Sequence, residues 1–239
     1  MSQSIRPAEM AKAERRLSLP TLLSFNGGYV DTAGFLALQG LFTAHVTGNF
    51  VTFGASVALG ASGAAAKLLA LPVFCAVVIL ARLLNHRLSR GRRPAVAIML
   101  GLQVALLVLG AAFAIAFGPF ATGNGWQALS MGMLLVAAMA IQNTVHRLHL
   151  GSAPPSTLMT CTTTQIMIDI ADRLAGLAPD AMAAWKTRIL RMTVAVASFA
   201  AGCACAALLF LFAGMACFLL PPALVLVGIL LHSEGETLA

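Results

Sequence analysis

Charge is scarce in this sequence. Only 10% of its 239 residues are Asp, Glu, Lys or Arg, against roughly 25% in a soluble domain. So few cannot cover a water-facing surface, which excludes a soluble enzyme, a DNA-binding domain and a disordered tail protein. Acidic residues are the rarer kind, 8 against 15 basic, and Asp31 is the only one between Glu14 and Asp169. The five cysteines are an odd number and lie in apolar or Thr-rich stretches, so they form neither a disulfide framework nor a zinc site. Cys203-Ala-Cys205 has the wrong spacing for a zinc knuckle and reads as small residues packed in a helix. HExxH, GxSxG, a phosphate-binding glycine loop and every cofactor fingerprint are also missing. The sequence therefore gives no sign of an enzyme, a cofactor or a metal site. The first residues, MSQSIRPAEMAKAERRLSLP, lack the apolar run and small-residue cleavage site of a secretory signal, so residues 1–18 are expected to be a retained cytoplasmic segment.

What the chain has in quantity is apolar sequence: 59% hydrophobic residues and a mean hydropathy of +0.90. At roughly 20 apolar residues per crossing, six to eight spans fit. Charge-free windows place them. Residues 94–146 contain no charged residue and are divided at Gly118-Pro119 and Gly123-Asn124-Gly125 into spans of about 95–117 and 126–146. Residues 192–233 are also charge-free and are broken by Gly214 and Pro221-Pro222. Two further spans cover 19–40 and 64–84, giving six.

Two stretches are left over, Phe42 to Leu59 and Ser156 to Ala175, each opening on hydroxyl-rich sequence and closing on a short helical pattern. If neither crosses, fourteen basic residues share the cytoplasmic side and only Lys67 lies outside; if both cross, the division is 9 to 6. The positive-inside rule favours the first arrangement. The expected fold is thus an all-α membrane protein of six transmembrane helices plus two re-entrant, broken half-helix segments. The tail 233–239 falls on the cytoplasmic side.

The halves echo each other. With a shift of 113 residues, Thr43-Ala44-His45-Val46-Thr47-Gly48-Asn49 lies over Ser156-Thr157-Leu158-Met159-Thr160-Cys161-Thr162, and Asp31 falls near Asn143 when one residue of slack is allowed. Each half, 19–117 and 118–232, reads span, re-entrant segment, span, span. Three crossings separate their starts, so the second is inserted upside down. Inverted-topology repeats with broken helices near the midplane are the recurrent plan of secondary transporters, since irregular backbone at that depth is tolerated only along a protein-walled cavity.

Asp31 is the sharpest chemical signal, mid-span between Asn26-Gly27-Gly28 and Gly34. An ionisable group at that depth costs roughly 2.5–3.5 kcal/mol and should face a cavity or a partner. It either couples transport to a proton or cation, or accepts hydrogen bonds from broken backbone. The Thr47-Gly48-Asn49 turn is an N-cap arrangement that would aim free N–H groups at an anionic or polar ligand, or would simply cap itself. His45 lies just before it, and Thr160, Thr162 and Thr164 are the mirror set. Gln142 and Asn143 form an adjacent amide pair whose burial demands partners; they line the pathway or pin the second re-entrant segment. Asp169 and Arg173, four apart on a helix, are expected to form a salt bridge or gate. The arginines from 87 to 93 read as a topology determinant in contact with anionic lipid, with no reason to invoke nucleic acid.

These same residues carry a resemblance. Gly28-Tyr29-Val30-Asp31-Thr32-Ala33-Gly34-Phe35-Leu36, Leu41-Phe42, His45-Val46-Thr47-Gly48-Asn49 and Gln142-Asn143, with the later Thr-rich segment, resemble the YoaK family of bacterial inner-membrane proteins, a domain of unknown function, over roughly 18–232. The resemblance implies a small polytopic inner-membrane protein that exports small-molecule metabolites, with both termini cytoplasmic. One departure stands out: Cys161 occupies the glycine position of the family's Thr-Gly-x-x-Thr motif.

The combined expectation is a multi-pass transporter of a small polar metabolite or ion, partnered by the bilayer and its solute, with homo-oligomerisation left open. A passive channel of the same architecture and a membrane scaffold or assembly protein without transport are the alternatives.

Overall fold

The computed structural model describes residues 18–176 and 178–237, and among these there is no strand. Eight helical segments follow one another: α1 (Leu19–Ala37), α2 (Gly48–Leu59), α3 (Ala64–Arg90), α4 (Ala95–Phe117), α5 (Trp126–His149), α6 (Met159–Leu174), α7 (Met182–Ala213) and α8 (Leu220–Thr237). Short 3-10 turns at Pro179–Ala181 and Gly214–Leu219 precede α7 and α8. The N-terminal segment 1–18 lies outside the described residues apart from Ser18. Much of the expected tail 233–239 is the end of α8, which continues to Thr237.

Four helical stretches are long and apolar enough to cross a membrane: α3, α4, α5 and Met182–His232, the last running through α7, the 3-10 turn and α8. This makes the chain an all-helical protein of multi-pass membrane type. Helix α7 begins at Met182, well before the charge-free window at 192, because a charge-free run marks only the apolar part of a helix. Its first turns carry Lys186, Arg188 and Arg191.

Helix α1 differs from the ordinary span expected over 19–40. It is not among the stretches apolar enough to cross by length and composition, and 13 of its 19 residues are buried by protein. It is the central helix, packed most extensively against α7 and also against α8 and α5. Glycines allow that approach. A methyl group at Gly28 would stand 2.2 Å from the carbonyl oxygen of Phe199, and one at Gly202 would stand 2.1 Å from that of Phe25. The two helix backbones therefore touch reciprocally, without side chains between them. Tyr29 fixes a third neighbour, its hydroxyl donating to the Cys217 carbonyl oxygen at 2.8 Å and holding the turn between α7 and α8.

The pattern of packing repeats when the halves α1–α4 and α5–α8 are exchanged. Helix α1 packs on α7 and α5 on α3; α1 on α8 and α5 on α4; α2 on α3 and α6 on α7; α1 meets α5, and α4 meets α8. Shared contacts tie the ends of the bundle. At one end Asn124 accepts from the Gly63 N–H at 2.9 Å, joining the α2–α3 and α4–α5 loops. At the other, His149 Nε2 lies 2.8 Å from Asn85 Oδ1, joining the ends of α5 and α3.

Candidate functional site

The site is built where each short helix begins. After α1 the chain doubles back, so that Thr43 and Ala44 lie level with Asp31. Their backbone N–H groups donate to Asp31 Oδ1 at 2.7 and 2.8 Å. The other carboxylate oxygen, Oδ2, lies 2.6 Å from His45 Nδ1. An ionised Asp31 accepts only, so this nitrogen carries the proton. Asp31 is buried, while the His45 side chain keeps a third of its surface. The imidazole ring stands edge-on to Phe199 of α7, with ring centres 5.5 Å apart, and the backbone of Thr157 in the second half lies beside it.

The second half answers with weaker polar groups. Asn143 occupies the place of Asp31, and its Oδ1 accepts from the Thr157 hydroxyl at 2.7 Å. Its neighbour Gln142 is fully buried and pins the same segment. Gln142 Nε2 donates to the Leu23 carbonyl at 2.8 Å and to Ser156 Oγ at 3.3 Å. Gln142 Oε1 accepts from Asn26 Nδ2 at 2.8 Å and from Gln103 Nε2 at 2.9 Å. Asn26, Gln103 and Gln142 thus form an amide cluster joining α1, α4 and α5. In that cluster Asn26 Oδ1 and Gln103 Oε1 are buried without a donor. Each such acceptor costs on the order of 1–3 kcal/mol, a cost to be expected where a fold serves function rather than stability.

Several expected roles change. Thr47 is exposed and its side chain makes no capping bond. The amides of Gly48, Asn49 and Phe50 are used by the carbonyls of His45, Val46 and Thr47, so the start of α2 caps itself and offers no free anion site. Asn49 clasps the turn instead, accepting from the Phe42 N–H at 2.9 Å and donating to the Phe42 carbonyl at 2.7 Å. A methyl at Gly48 would sit 3.0 Å from the Phe42 ring, close enough that the ring would have to shift. In the second half Pro155 stands where Phe42 does and Cys161 is exposed, so the side chain at the glycine position meets no such ring. Thr162 is buried and bonds the Leu158 carbonyl, whereas Thr160 and Thr164 are exposed, the latter bonding back to Thr160.

Asp169 is not paired with Arg173. Its fully buried carboxylate is gripped by Arg188 of α7, at 2.6 Å from Nε and 2.8 Å from a terminal nitrogen, and by Gln165 at 2.9 Å. Arg173 points outward because α7 supplies a planar two-pronged donor in the better position. The equivalent of Asp169 under the 113-residue shift is Ser56, and Ser56 Oγ accepts from Lys67 of α3 at 2.6 Å. One cation near the start of each third helix therefore holds the same position on each short helix. Arg188, Lys67 with Ser56, and Gln103 were not singled out from the sequence. Gln103 had a signal, as the only side chain in α4 with a strong hydrogen-bonding group.

Two cavities open beside the 152–158 loop. One, of about 720 Å³, lies between that loop, α6 and α7, with Arg188 and Arg191 in its wall. The other, of about 500 Å³, lies between the loop, α3 and α5, and is lined among others by Asn143, Ser156, Arg82 and Arg147.

Residues 19–231 match the family model described as Protein of unknown function (DUF1275). The chain belongs to that family, the YoaK-like group its motifs resemble. No curated protein and no solved structure matches it.

Proposed function

We propose that this protein is an inverted-repeat transporter of a small polar metabolite or ion in the bacterial inner membrane. Its centre lies where the two short helices begin. In this reading α1, α3, α4, α5, α7 and α8 cross, and α2 and α6 with their leading loops are re-entrant, one from each face. The end of the bundle holding Arg82, Arg87, Arg90, Arg147, Arg188 and Arg191 is cytoplasmic, in accord with the positive-inside rule.

The observation that carries the reading is a set of polar groups that meet between the halves: Asp31 bonded to His45, the Thr157 backbone beside that imidazole, and the Thr157 hydroxyl bonded to Asn143. It crosses the junction of two structurally equivalent units and holds one carboxylate and one imidazole, a pair able to take up and release a proton. Gain or loss of a proton on His45 would alter a contact where the halves meet, so protonation and the fit between halves are linked. The half-sites also differ in their surroundings: Asn49 clasps Phe42 in the turn of the first, while cavities flank the second. Exchange of these two states between the halves would expose the centre to each side in turn.

The test is a thermal-shift screen of purified protein against metabolites and ions, run beside Asp31→Asn. A solute at about 100 times its dissociation constant should add roughly 2.7 kcal/mol to the unfolding free energy. Flux of any solute so found, measured in proteoliposomes, should depend on a pH gradient in the wild type and lose that dependence in the folded variant. Flux through wild type that is indifferent to the gradient and to Asp31 would instead favour a passive channel. A scaffold reading draws on one specific observation, that Asp31 spends its acceptors on its own loop; it calls for stable protein partners and no solute.

A further inference from the structure

The two half-sites carry opposite charge. Around Asp31, the position four residues on is Phe35, the one two residues after Thr43 is His45, and Cys203 of α7 donates to the Gly28 carbonyl at 3.4 Å. The first half thus contains its own anion, already bound by the loop amides. In the second half the equivalents are Asn143, Arg147 four residues on, Leu158 two residues after Ser156, and Arg82, which stands fifteen residues beyond Lys67 as Cys203 stands fifteen beyond Arg188. Neutral Asn143 therefore replaces the carboxylate, and two guanidiniums replace a ring and a thiol.

These four second-half residues all line the cavity of about 500 Å³, with Ser156 beside them and no Asp or Glu in its wall. Neither Arg82 nor Arg147 has a carboxylate partner among the described residues. Phe74, Val78 and Pro155 complete an apolar side. A space with two guanidiniums, an amide and a hydroxyl at one side and hydrocarbon at the other matches a small anion carrying an apolar body.

We propose that this cavity binds a carboxylate or phosphate group, which takes in the second half the place that the Asp31 carboxylate takes in the first. The proposal deepens the transport reading by naming its substrate class, and it rests on the equivalence of the halves. The same chemistry is available from a soluble metabolite or from an anionic lipid headgroup.

The experiment uses full-length protein in nanodiscs of phosphatidylcholine alone, titrated with inorganic phosphate or citrate, and in nanodiscs containing phosphatidylglycerol, with thermal unfolding as readout. Variants are Arg82→Gln/Arg147→Gln, Asn143→Asp, and the control Arg90→Gln/Arg93→Gln, which removes the same charge away from the cavity. A midpoint that rises with citrate or phosphate, persists in the control, and needs at least tenfold more ligand in the first two variants supports a soluble anion. A rise given only by phosphatidylglycerol, with the same pattern across variants, supports a headgroup. Asn143→Asp should raise the midpoint without ligand, since it supplies the missing carboxylate; this keeps the proposal testable if the double arginine variant fails to fold. No stabilisation by any of these anions, or equal effects in the control, overturns it. Because none of these arms depends on proton coupling, anion binding without gradient-dependent flux would sink the transport reading alone, and the converse would sink only this proposal.

Discussion

Asp31 and Asn143 stand at equivalent positions in the two halves, yet Asp31 as a carboxylate accepts two backbone amides and meets His45, whereas Asn143 as an amide accepts the Thr157 hydroxyl. That difference separates two substitutions at Asp31. In Asp31→Asn an oxygen still accepts from the Thr43 and Ala44 amides, and His45 can shift its proton to the nitrogen facing Thr157, so the fold survives at a cost of about 1 kcal/mol. Asp31→Ala strands two buried amides and the imidazole and should cost at least about 3 kcal/mol. Unfolding of the purified variants measures both, and equal losses would contradict the bonding described.

The contact between α1 and α7 gives a packing contrast. Ala at Gly28 or Gly202 would place its methyl against a backbone carbonyl oxygen at 2.2 or 2.1 Å, which cannot swing aside as a side chain could. Each should destabilise by roughly 1–3 kcal/mol or more. Gly54 and Gly101 sit in helices with nothing within 4 Å of an added methyl, so Ala there should be neutral or stabilise by about 0.5–1 kcal/mol. Thermal unfolding of the four single variants orders them, and a tolerated Gly28→Ala would refute the close approach.

Much of this fold was legible because its strongest constraints are local. Charge-free runs mark apolar helices, and Gly118-Pro119 and Gly214 mark their interruptions. The aligned stretches at Thr43 and Ser156 were readable because both loops solve the same problem of ending a helix at depth. What escaped was partnership across the sequence. Asp169 with Arg173 fits helical spacing, but the choice of Arg188 is made by α7 packing on α6. A Thr-Gly-Asn turn resembles an open cap, yet whether its amides are free depends on carbonyls that only the folded loop brings near. Helix α1 was legible only as one span among six, because hydropathy does not report how much of a helix is buried against other helices.

Lys67 and Ser56 show where the repeat is incomplete. The equivalent pair in the second half is an arginine gripping a buried aspartate, while Lys67 is buried with a hydroxyl as acceptor. Ser56→Asp should supply the missing carboxylate and raise the unfolding midpoint, by about 2–4 °C for each kcal/mol gained in a chain of this size. Combining it with Lys67→Met should abolish the gain and fall below wild type, because a carboxylate is then left buried without a cation. A Ser56→Asp variant with a lowered midpoint that Lys67→Met does not alter would show that the two side chains do not interact.

The re-entrant assignment has consequences for labelling that a fully crossing chain would not share. In a cysteine-free background, single cysteines at Ala61 and Asn124 lie at the end of the bundle tied by Gly63 and Asn124, and both should react with an impermeant maleimide from the periplasm. Cysteines at Arg90 and Gly151 lie at the end tied by His149 and Asn85, and should react only after permeabilisation. If α2 and its leading loop crossed instead, with the N-terminus still inside, Ala61 and Asn124 would both move to the cytoplasmic face and Arg90 and Gly151 both to the periplasmic one, because two crossings separate the members of each pair. Periplasmic labelling at Arg90 and Gly151 with protection at Ala61 and Asn124 would therefore overturn the six-span reading, whereas the expected pattern leaves a chain that turns back at Thr43, a depth at which irregular backbone must line something other than lipid.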